Sequence, residues 1–224
     1  MDILGVKIDN KGLEEFLGTV DLFLSDGRQH HITTPNPEMI VLAQKDLYFK
    51  QILNEADLAI ADGIGIIFAA KILRQKINKR LSGTDLAESI LKKSIGKVFL
   101  FGAKNGVAGK IGKRYSNIVG FSENENDAIE MINLSKPNIL FVALGAPRQE
   151  KWIYENLKKT PSVSVAVGVG GAFDFISGKV LRAPKFLRAI GLEWLWRLIV
   201  QPWRIKRMYS AVLKFPFLVL KSKI

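Results

Sequence analysis

Residues 139–149 read Ile-Leu-Phe-Val-Ala-Leu-Gly-Ala-Pro-Arg-Gln, a short apolar run that ends in a glycine turn and a proline. The residues after Pro147 begin a helical pattern, and proline suits the first turn of a helix because its missing N–H is not needed there. An apolar run, a turn and a helix in this order form the repeating unit of α/β proteins. The stretch therefore predicts a buried strand over Ile139–Leu144 and a helix from Gln149.

The same alternation continues through most of the chain. Further apolar runs predict strands at Ile3–Ile8, His31–Thr34, Leu58–Ala61, Lys97–Phe101 and Ser164–Val169. Helical patterns lie between them, at Lys11–Leu24, Glu38–Leu53, Gly65–Leu73, Asp85–Lys93, Val107–Tyr115, Asn126–Ser135 and Gln149–Leu157. Thr84 is expected to cap the helix at Asp85. The predicted fold is α/β, with a Rossmann-like, mainly parallel sheet flanked by helices.

The composition excludes several classes of catalytic and metal-binding site. The chain has 224 residues, of which 48% are hydrophobic, enough for one α/β domain with a core. It has no cysteine, which excludes disulfides, thiolate nucleophiles and zinc–thiolate sites. His30 and His31 are adjacent and would point to opposite faces of a strand, which disfavours a shared metal site. Without a signal-peptide pattern or an apolar run of ~20 residues, a cytoplasmic protein is expected.

Positive charge is concentrated at the C-terminal end. The net charge is +12, and residues 179–224 contribute +10 of it, with eleven Lys or Arg against one acid. Three of the four tryptophans, Trp194, Trp196 and Trp203, lie there too. We therefore divide the chain into an α/β body at 1–178 and a basic, aromatic-rich, helical C-terminal appendage at 179–224.

Polar residues and glycines follow several predicted strands, and ligands of such sheets bind beyond the carboxyl ends of the strands. Asp62 follows the run that begins at Leu58, and its carboxylate could act as a general base or could cap the next helix. Thr34 and Asn36 flank Pro35. They could bind sugar hydroxyls or an N-acetyl group, but capping of the Glu38 helix is the favoured interpretation.

Two further strand ends could receive a nucleotide. The helix that begins after Gly145 could offer free N–H groups to a diphosphate, with Gln149 reaching the crevice, or could be an ordinary exposed turn. Residues 168–174 match a dinucleotide fingerprint only loosely, although Gly170 and Gly171 would let the backbone approach a nucleotide closely. Asp174 could accept hydrogen bonds from ribose or uracil, or could be a helix-start acid.

In the appendage, Arg197, Arg204, Arg207 and Lys214 are spaced seven, three and seven residues apart, which predicts one common helix face. Guanidinium groups bind diphosphates, and a basic amphipathic helix with aromatic residues lies readily on anionic lipid. A solvated helix and a nucleic-acid-binding tail are the alternatives.

Eight motifs, in order along nearly the whole chain, together resemble the WecG/TagA/CpsF family of glycosyltransferases. They are Thr34-Pro35-Asn36, Ala61-Asp62-Gly63, Ser82-Gly83-Thr84-Asp85, residues 145–152, residues 168–174, Arg182-Ala183-Pro184, residues 191–198 and Pro202-Trp203-Arg204. The resemblance implies transfer of N-acetylmannosamine from UDP to the 4-hydroxyl of undecaprenyl-diphosphate-linked N-acetylglucosamine, with inversion. Such a step belongs to the synthesis of wall teichoic acid or a related surface polysaccharide.

The resemblance also implies roles for the residues that match. Asp62 matches the family's proposed base, and arginines of the appendage match groups that close over the site and contact the diphosphate. Catalytic roles are implied for Asp62, Thr34, Gln149 and Arg204, and substrate binding for Asn36, Gly145, Gly170, Gly171, Asp174, Arg197 and Arg207. The body would bind the nucleotide sugar, and the appendage would dock on the inner face of the cell membrane and close the site.

The resemblance extends to cofactors and partners. The chain has no Asp-x-Asp motif, so transfer without a metal or other cofactor is expected, with arginines stabilising the departing UDP. The expected partners are a UDP-amino-sugar donor, a polyprenyl-diphosphate-GlcNAc acceptor and an anionic membrane surface. Association into a homo-oligomer stays open, and nucleic acid is not an expected partner.

One segment departs from the family pattern. Residues 104–123 look shortened, which would alter one wall of the donor pocket. A UDP donor carrying N-acetylmannosaminuronic acid or glucose is therefore an alternative. A non-catalytic nucleotide-binding module with a nucleic-acid-binding tail is another, whereas a nicotinamide oxidoreductase is disfavoured by the incomplete fingerprint.

Overall fold

The computed structural model describes residues 1–77 and 80–223 and confirms the α/β prediction. Six strands form one parallel sheet in the order β4-β3-β8-β7-β5-β6, and two form a separate antiparallel hairpin. The strands are β1 (Asp2–Ile3), β2 (Val6–Lys7), β3 (His30–Thr33), β4 (Leu58–Ala59), β5 (Val98–Gly102), β6 (Ile118–Ser122), β7 (Ile139–Ala143) and β8 (Val165–Gly168).

Helices cover both faces of the sheet. In the body they are α1 (Leu13–Ser25), α2 (Pro37–Ala43), α3 (Leu47–Glu55), α4 (Ile64–Ile72), α5 (Gly83–Lys92), α6 (Val107–Gly112), α7 (Glu125–Ser135), α8 (Arg148–Asn156) and α9 (Ala172–Ile176). In the appendage they are α10 (Lys185–Ala189), α11 (Glu193–Val200), α12 (Ile205–Tyr209) and α13 (Phe215–Lys221). Short 3₁₀ turns follow α8 and α11, and a π-helical turn joins α12 to α13. No helix within the described ranges is long and apolar enough to cross a bilayer.

Four local predictions were wrong, each for a local reason. The predicted strand Ile3–Ile8 is the β1–β2 hairpin, because Leu4 and Gly5 adopt φ values of 55° and 77° and turn the chain. The predicted helix Glu38–Leu53 is two helices, because the Asp46 side chain accepts from Phe49 N at 2.9 Å and begins α3.

The other two errors are the residue predicted to cap α5 and a strand, β6, that was not predicted. Ser82, not Thr84, caps α5, since its hydroxyl accepts from Asp85 N at 3.1 Å. The edge strand β6 lies in the segment that looked shortened. It reads Ile118-Val119-Gly120-Phe121-Ser122, and Val119 and Phe121 remain 38% and 43% exposed, so the strand carries only a short apolar run interrupted by Gly120.

The core consists of three buried clusters, two of which lie on the faces of the sheet. One includes Ile32 and Val167 on the face packed by α1, α5 and α9, and another includes Ala166 and Ile153 on the face packed by α8. The third cluster packs α2, α3 and α4 together and also contains Phe215 and Val219 of α13. The end of the appendage is therefore part of the buried core, although its composition differs from that of the body.

Candidate active site

Two cavities lie at the carboxyl end of the sheet. The first, of about 350 Å³, is polar and is bounded by the ends of β3, β5, β7 and β8 and by the appendage. All eleven predicted site residues line it: Thr34, Asn36, Asp62, Gly145, Gln149, Gly170, Gly171, Asp174, Arg197, Arg204 and Arg207. The structure therefore brings these eleven residues together from the segments that follow four strands, β3, β4, β7 and β8, and from the appendage.

The second cavity, of about 360 Å³, lies between the body and the appendage. Its walls are mainly apolar. The apolar side chains are Pro37, Ile64, Phe68, Trp194, Met208, Ala211, Val212 and Pro216. Five residues line both cavities, namely Asn36, Asp62, Arg197, Arg204 and Arg207. The two cavities therefore meet at one carboxylate, one amide and three guanidinium groups.

Asp62 lies at this junction, three residues beyond the end of β4 and before Gly63, whose φ of 96° turns the chain into α4. Its backbone N–H donates to Pro35 O at 3.0 Å, which fixes the loop beside β3. Burial raises the pKa of Asp62 to about 6, and the positive charge of Arg197 opposes that increase. A carboxylate with a pKa near neutrality that faces a cavity is suited to accept a proton.

Thr34 and Asn36 have both structural and cavity-facing roles. The Asn36 side-chain oxygen accepts from Met39 N at 3.0 Å, so the capping interpretation is confirmed for this oxygen. Thr34 is 5% exposed, and its hydroxyl donates to Gly168 O at 3.3 Å across the sheet. These bonds hold both side chains at the polar cavity.

The Gln149 side chain, in the first turn of α8, is held by two backbone N–H groups. Its Oε1 accepts from Gly145 N at 3.1 Å and from Gly170 N at 2.9 Å, so it joins the two glycine-rich loops. Gly145 and Gly170 have φ values of 79° and 52°, a conformation that favours glycine. The predicted importance of these glycines thus has a backbone reason in addition to close approach by a ligand.

The appendage arginines point inward to the cavities. The Arg197 guanidinium lies 4.4 Å from the centre of the Phe175 ring, and a Cβ atom on Gly171 would lie 3.5 Å from Arg204 Nη2. Burial, together with the nearby charges of Arg207 and Arg197, lowers the pKa of Arg204 to about 10. Three cations held this close together form a strong site for an anion.

The predicted common face of four basic residues was wrong for Lys214. The appendage is broken by the turn at 202–204 and by the π-helical turn at 210–214, so Lys214 leaves the arginine cluster. It lies beside Lys45, which lowers the pKa of the Lys214 ammonium group.

Sequence reasoning missed several residues that support the site. Arg207 Nε donates to both carboxylate oxygens of Glu38, at 2.7 and 2.8 Å. Arg182 pairs with Asp85 at 2.7 Å and with Glu193 at 3.4 Å. Glu193 is the one acid of residues 179–224, and that isolation was a signal that could have found it. Arg207–Glu38 and Arg182–Asp85 join the appendage to the body, whereas Arg182–Glu193 lies within the appendage.

Among the described residues, no cluster of three or more His, Cys, Asp or Glu side chains has a geometry that could hold a metal ion. The cationic side chains that line both cavities are Arg197, Arg204 and Arg207.

Comparisons with known proteins agree with this geometry. The model of the glycosyl transferase WecG/TagA/CpsF family matches residues 1–224. The chain is 36% identical to the N-acetylglucosaminyldiphosphoundecaprenol N-acetyl-beta-D-mannosaminyltransferase of Bacillus subtilis (strain 168), over 86% of this chain and 79% of the relative. It is 32% identical to the enzyme of the same name from Staphylococcus aureus (strain NCTC 8325 / PS 47), over 100% and 93%. The chain is a member of the WecG/TagA/CpsF family of glycosyltransferases.

Proposed function

We propose that this glycosyltransferase transfers N-acetylmannosamine from a UDP donor to undecaprenyl-diphosphate-linked N-acetylglucosamine. Its named relatives act as N-acetyl-beta-D-mannosaminyltransferases on that lipid-linked acceptor. The observation that carries the proposal is the junction of a polar and an apolar cavity at Asp62 and three arginines. One substrate is a nucleotide sugar and the other is a lipid diphosphate, and the two cavities match this difference in polarity.

In this proposal the donor occupies the polar cavity. Its diphosphate lies against the Gly145 and Gly170 loops and the arginines, and Asp174 is available to the nucleoside. The acceptor sugar reaches Asp62 from the apolar cavity, whose wall includes Phe68 and Trp194. Both substrates then meet at Asp62, whose carboxylate is the one that both cavities share among the described residues.

Asp62 acts as the general base. It takes the proton of the acceptor 4-hydroxyl as that oxygen attacks the anomeric carbon of the donor from the face opposite UDP. The new carbon–oxygen bond forms as the bond to the β-phosphate oxygen breaks, and that bonding pair leaves with UDP. A single displacement inverts the anomeric centre and needs no nucleophilic carboxylate.

The arginines stabilise the leaving group. Negative charge develops on the diphosphate as the glycosidic bond breaks, and the guanidinium groups of Arg197, Arg204 and Arg207 lie where that charge would appear. Since these cations belong to the protein, we expect turnover to persist in EDTA. Loss of turnover on chelation, with recovery only on addition of Mg²⁺ or Mn²⁺, would contradict this account of the leaving group.

The appendage also provides a surface suited to a membrane. Large apolar side chains of several of its segments face outward, among them Trp203 and Phe217, which are 73% and 65% exposed. Exposed lysines follow them closely along the chain, Lys206 after Trp203 and Lys221 after Phe217, and aromatic and basic side chains together favour anionic lipid. We infer peripheral binding at the inner face of the cell membrane, where the lipid-linked acceptor is available.

A donor screen tests the proposed function. The full chain is incubated with a short-chain lipid-diphosphate-GlcNAc acceptor and with the UDP donors of N-acetylmannosamine, N-acetylmannosaminuronic acid or glucose, and UDP release is measured. We expect acceptor-dependent release with UDP-N-acetylmannosamine in preference to the others. Preference for the uronic acid or glucose donor would overturn the assigned sugar, and no release with any donor would overturn the reaction.

A further inference from the structure

A carboxyl group lies completely buried beside Gln149. Glu150 is 0% exposed and contributes to neither cavity wall. Its Oε1 accepts a hydrogen bond from Gln149 Nε2 at 2.7 Å, whereas Oε2 has no hydrogen-bond partner among the described residues. A buried carboxyl group with one partner costs stability compared with an apolar side chain, so its presence calls for a functional reason.

The hydrogen bonds of Gln149 determine the direction of its amide. Both acceptor positions of Oε1 are filled by backbone N–H groups, from Gly145 at 3.1 Å and Gly170 at 2.9 Å. The other end of the amide must therefore be Nε2, which carries two hydrogens. Glu150 takes one of them, and the second is the remaining donor of a side chain that lines the polar cavity.

The backbone of β8 encloses the pair. A Cβ atom on Gly168 would lie 2.7 Å from Gln149 Nε2 and 2.8 Å from Glu150 Oε1, so no larger residue fits there without a shift of the pair. The carbonyl of the same Gly168 accepts from the Thr34 hydroxyl. Gln149, Glu150 and Thr34 therefore share one backbone segment beside the cavity.

We propose that Glu150 is a positioning residue that holds the Gln149 amide so that its free N–H is directed at the nucleotide-sugar donor. The inference rests on the proposed function for the identity of that donor. Glu150 does not touch substrate in this arrangement and acts only through Gln149. Without it, the Nε2 end of the amide loses its fixed partner and turns toward water in the cavity.

The test compares Glu150→Gln with Glu150→Met in the full chain. The glutamine retains a carbonyl oxygen that can accept from Gln149 Nε2, whereas the methionine has a similar size and no such acceptor. We expect Glu150→Met to weaken UDP binding in calorimetry and to lower kcat/KM for the donor, each by about tenfold, as partners that orient site residues typically do when removed. Glu150→Gln should remain within about threefold of the parent on this reasoning. The KM for the acceptor should change in neither variant.

Thr160→Val provides the stability control. Thr160 is also 0% exposed and lies just beyond the far end of α8, where its hydroxyl donates to Leu157 O at 2.8 Å. Its loss should lower the melting temperature without changing UDP affinity. If Glu150→Met bound UDP within twofold of the parent, or if both Glu150 variants were equally impaired, the positioning role would be wrong. UDP affinity does not depend on which sugar is transferred, so this failure is distinguishable from failure of the proposed reaction.

Discussion

The body and the appendage use apolar residues in opposite ways. In the body, three clusters bury the sheet and its helices, and the exposed large apolar side chains are scattered. The appendage makes up about a fifth of the chain, yet it holds 12 of the 22 large apolar side chains that are exposed among the described residues. Phe215 and Val219 are its two large apolar side chains in the core. The body is thus organised around its interior, and the appendage around two surfaces, one facing the cavities and one facing outward.

The attachment of the appendage explains how it can contribute charge to a site built by the body. Phe215 and Val219 fix its end in the third cluster, Arg182–Asp85 fixes its beginning, and Arg207–Glu38 fixes its middle. Between these anchors Arg197 and Arg204 face Asp62 and the glycine-rich loops. The following predictions separate what each region contributes.

The largest effect is expected in the body, at Asp62. Asp62→Asn retains the size of the side chain but cannot accept a proton, so kcat should fall by about 10²–10⁴-fold. Because burial opposes the charge of Asp62, the variant should melt no lower than the parent at pH 8. UDP release and thermal melting measure the two effects. Turnover within a few-fold of the parent would leave Asp62 as a turn residue only.

A smaller loss of turnover is expected in the appendage. Arg204→Ala removes one cation from the leaving-group site and should lower kcat by about 10²-fold, as for other fixed groups that stabilise developing charge. Lys206→Ala is the matched control, since Lys206 is exposed, lies two residues away and lines neither cavity. Equal effects of the two substitutions would mean that the total positive charge of the appendage, and not the position of Arg204, determines kcat.

A third pair of substitutions compares a buried and an exposed phenylalanine of α13. Phe215 is 1% exposed, and Phe215→Ala should lower the free energy of unfolding by about 3–5 kcal/mol through the cavity that it leaves. Phe217 is 65% exposed, and Phe217→Ala should change that free energy by no more than about 0.5 kcal/mol. Denaturant titration measures both values. Similar values for the two would show that the appendage is not anchored through Phe215 in solution.

Substitutions on the outward-facing surface of the appendage should weaken membrane binding without changing turnover. Replacing Trp203 and Phe217 by serine should reduce co-sedimentation with anionic vesicles several-fold, since both side chains are exposed in the appendage. Turnover of a short-chain acceptor in solution should be unaffected. Leu47 and Leu134, 76% and 75% exposed in the body, are the control pair. A loss of vesicle binding on their replacement by serine would contradict a membrane surface confined to the appendage.

Most of the parallel sheet and the residues at its carboxyl end can be predicted from the sequence, because apolar runs and turn residues determine structure within a few residues of themselves. The strands β3, β5, β7 and β8 were predicted to within about a residue, and the polar residues after them do line one cavity. The π-helical turn before α13 was not predictable, since it depends on packing against α2. Nor were the partners of Glu150 and Arg182, because hydrogen bonds and ion pairs between distant segments leave no pattern in spacing.

The central claim is that the appendage completes the active site by acting on the base of the body. The acid limb of the pH profile of kcat/KM tests this claim directly, because Asp62 must be ionised to accept a proton. We therefore expect kcat/KM to fall as the pH drops through about 6. Arg197 lowers the pKa of Asp62. In Arg197→Gln the limb should therefore move to higher pH, whereas Arg197→Lys, which retains the charge, should leave it near the parent value. An acid limb at the same pH in all three proteins would show that the appendage does not act on Asp62.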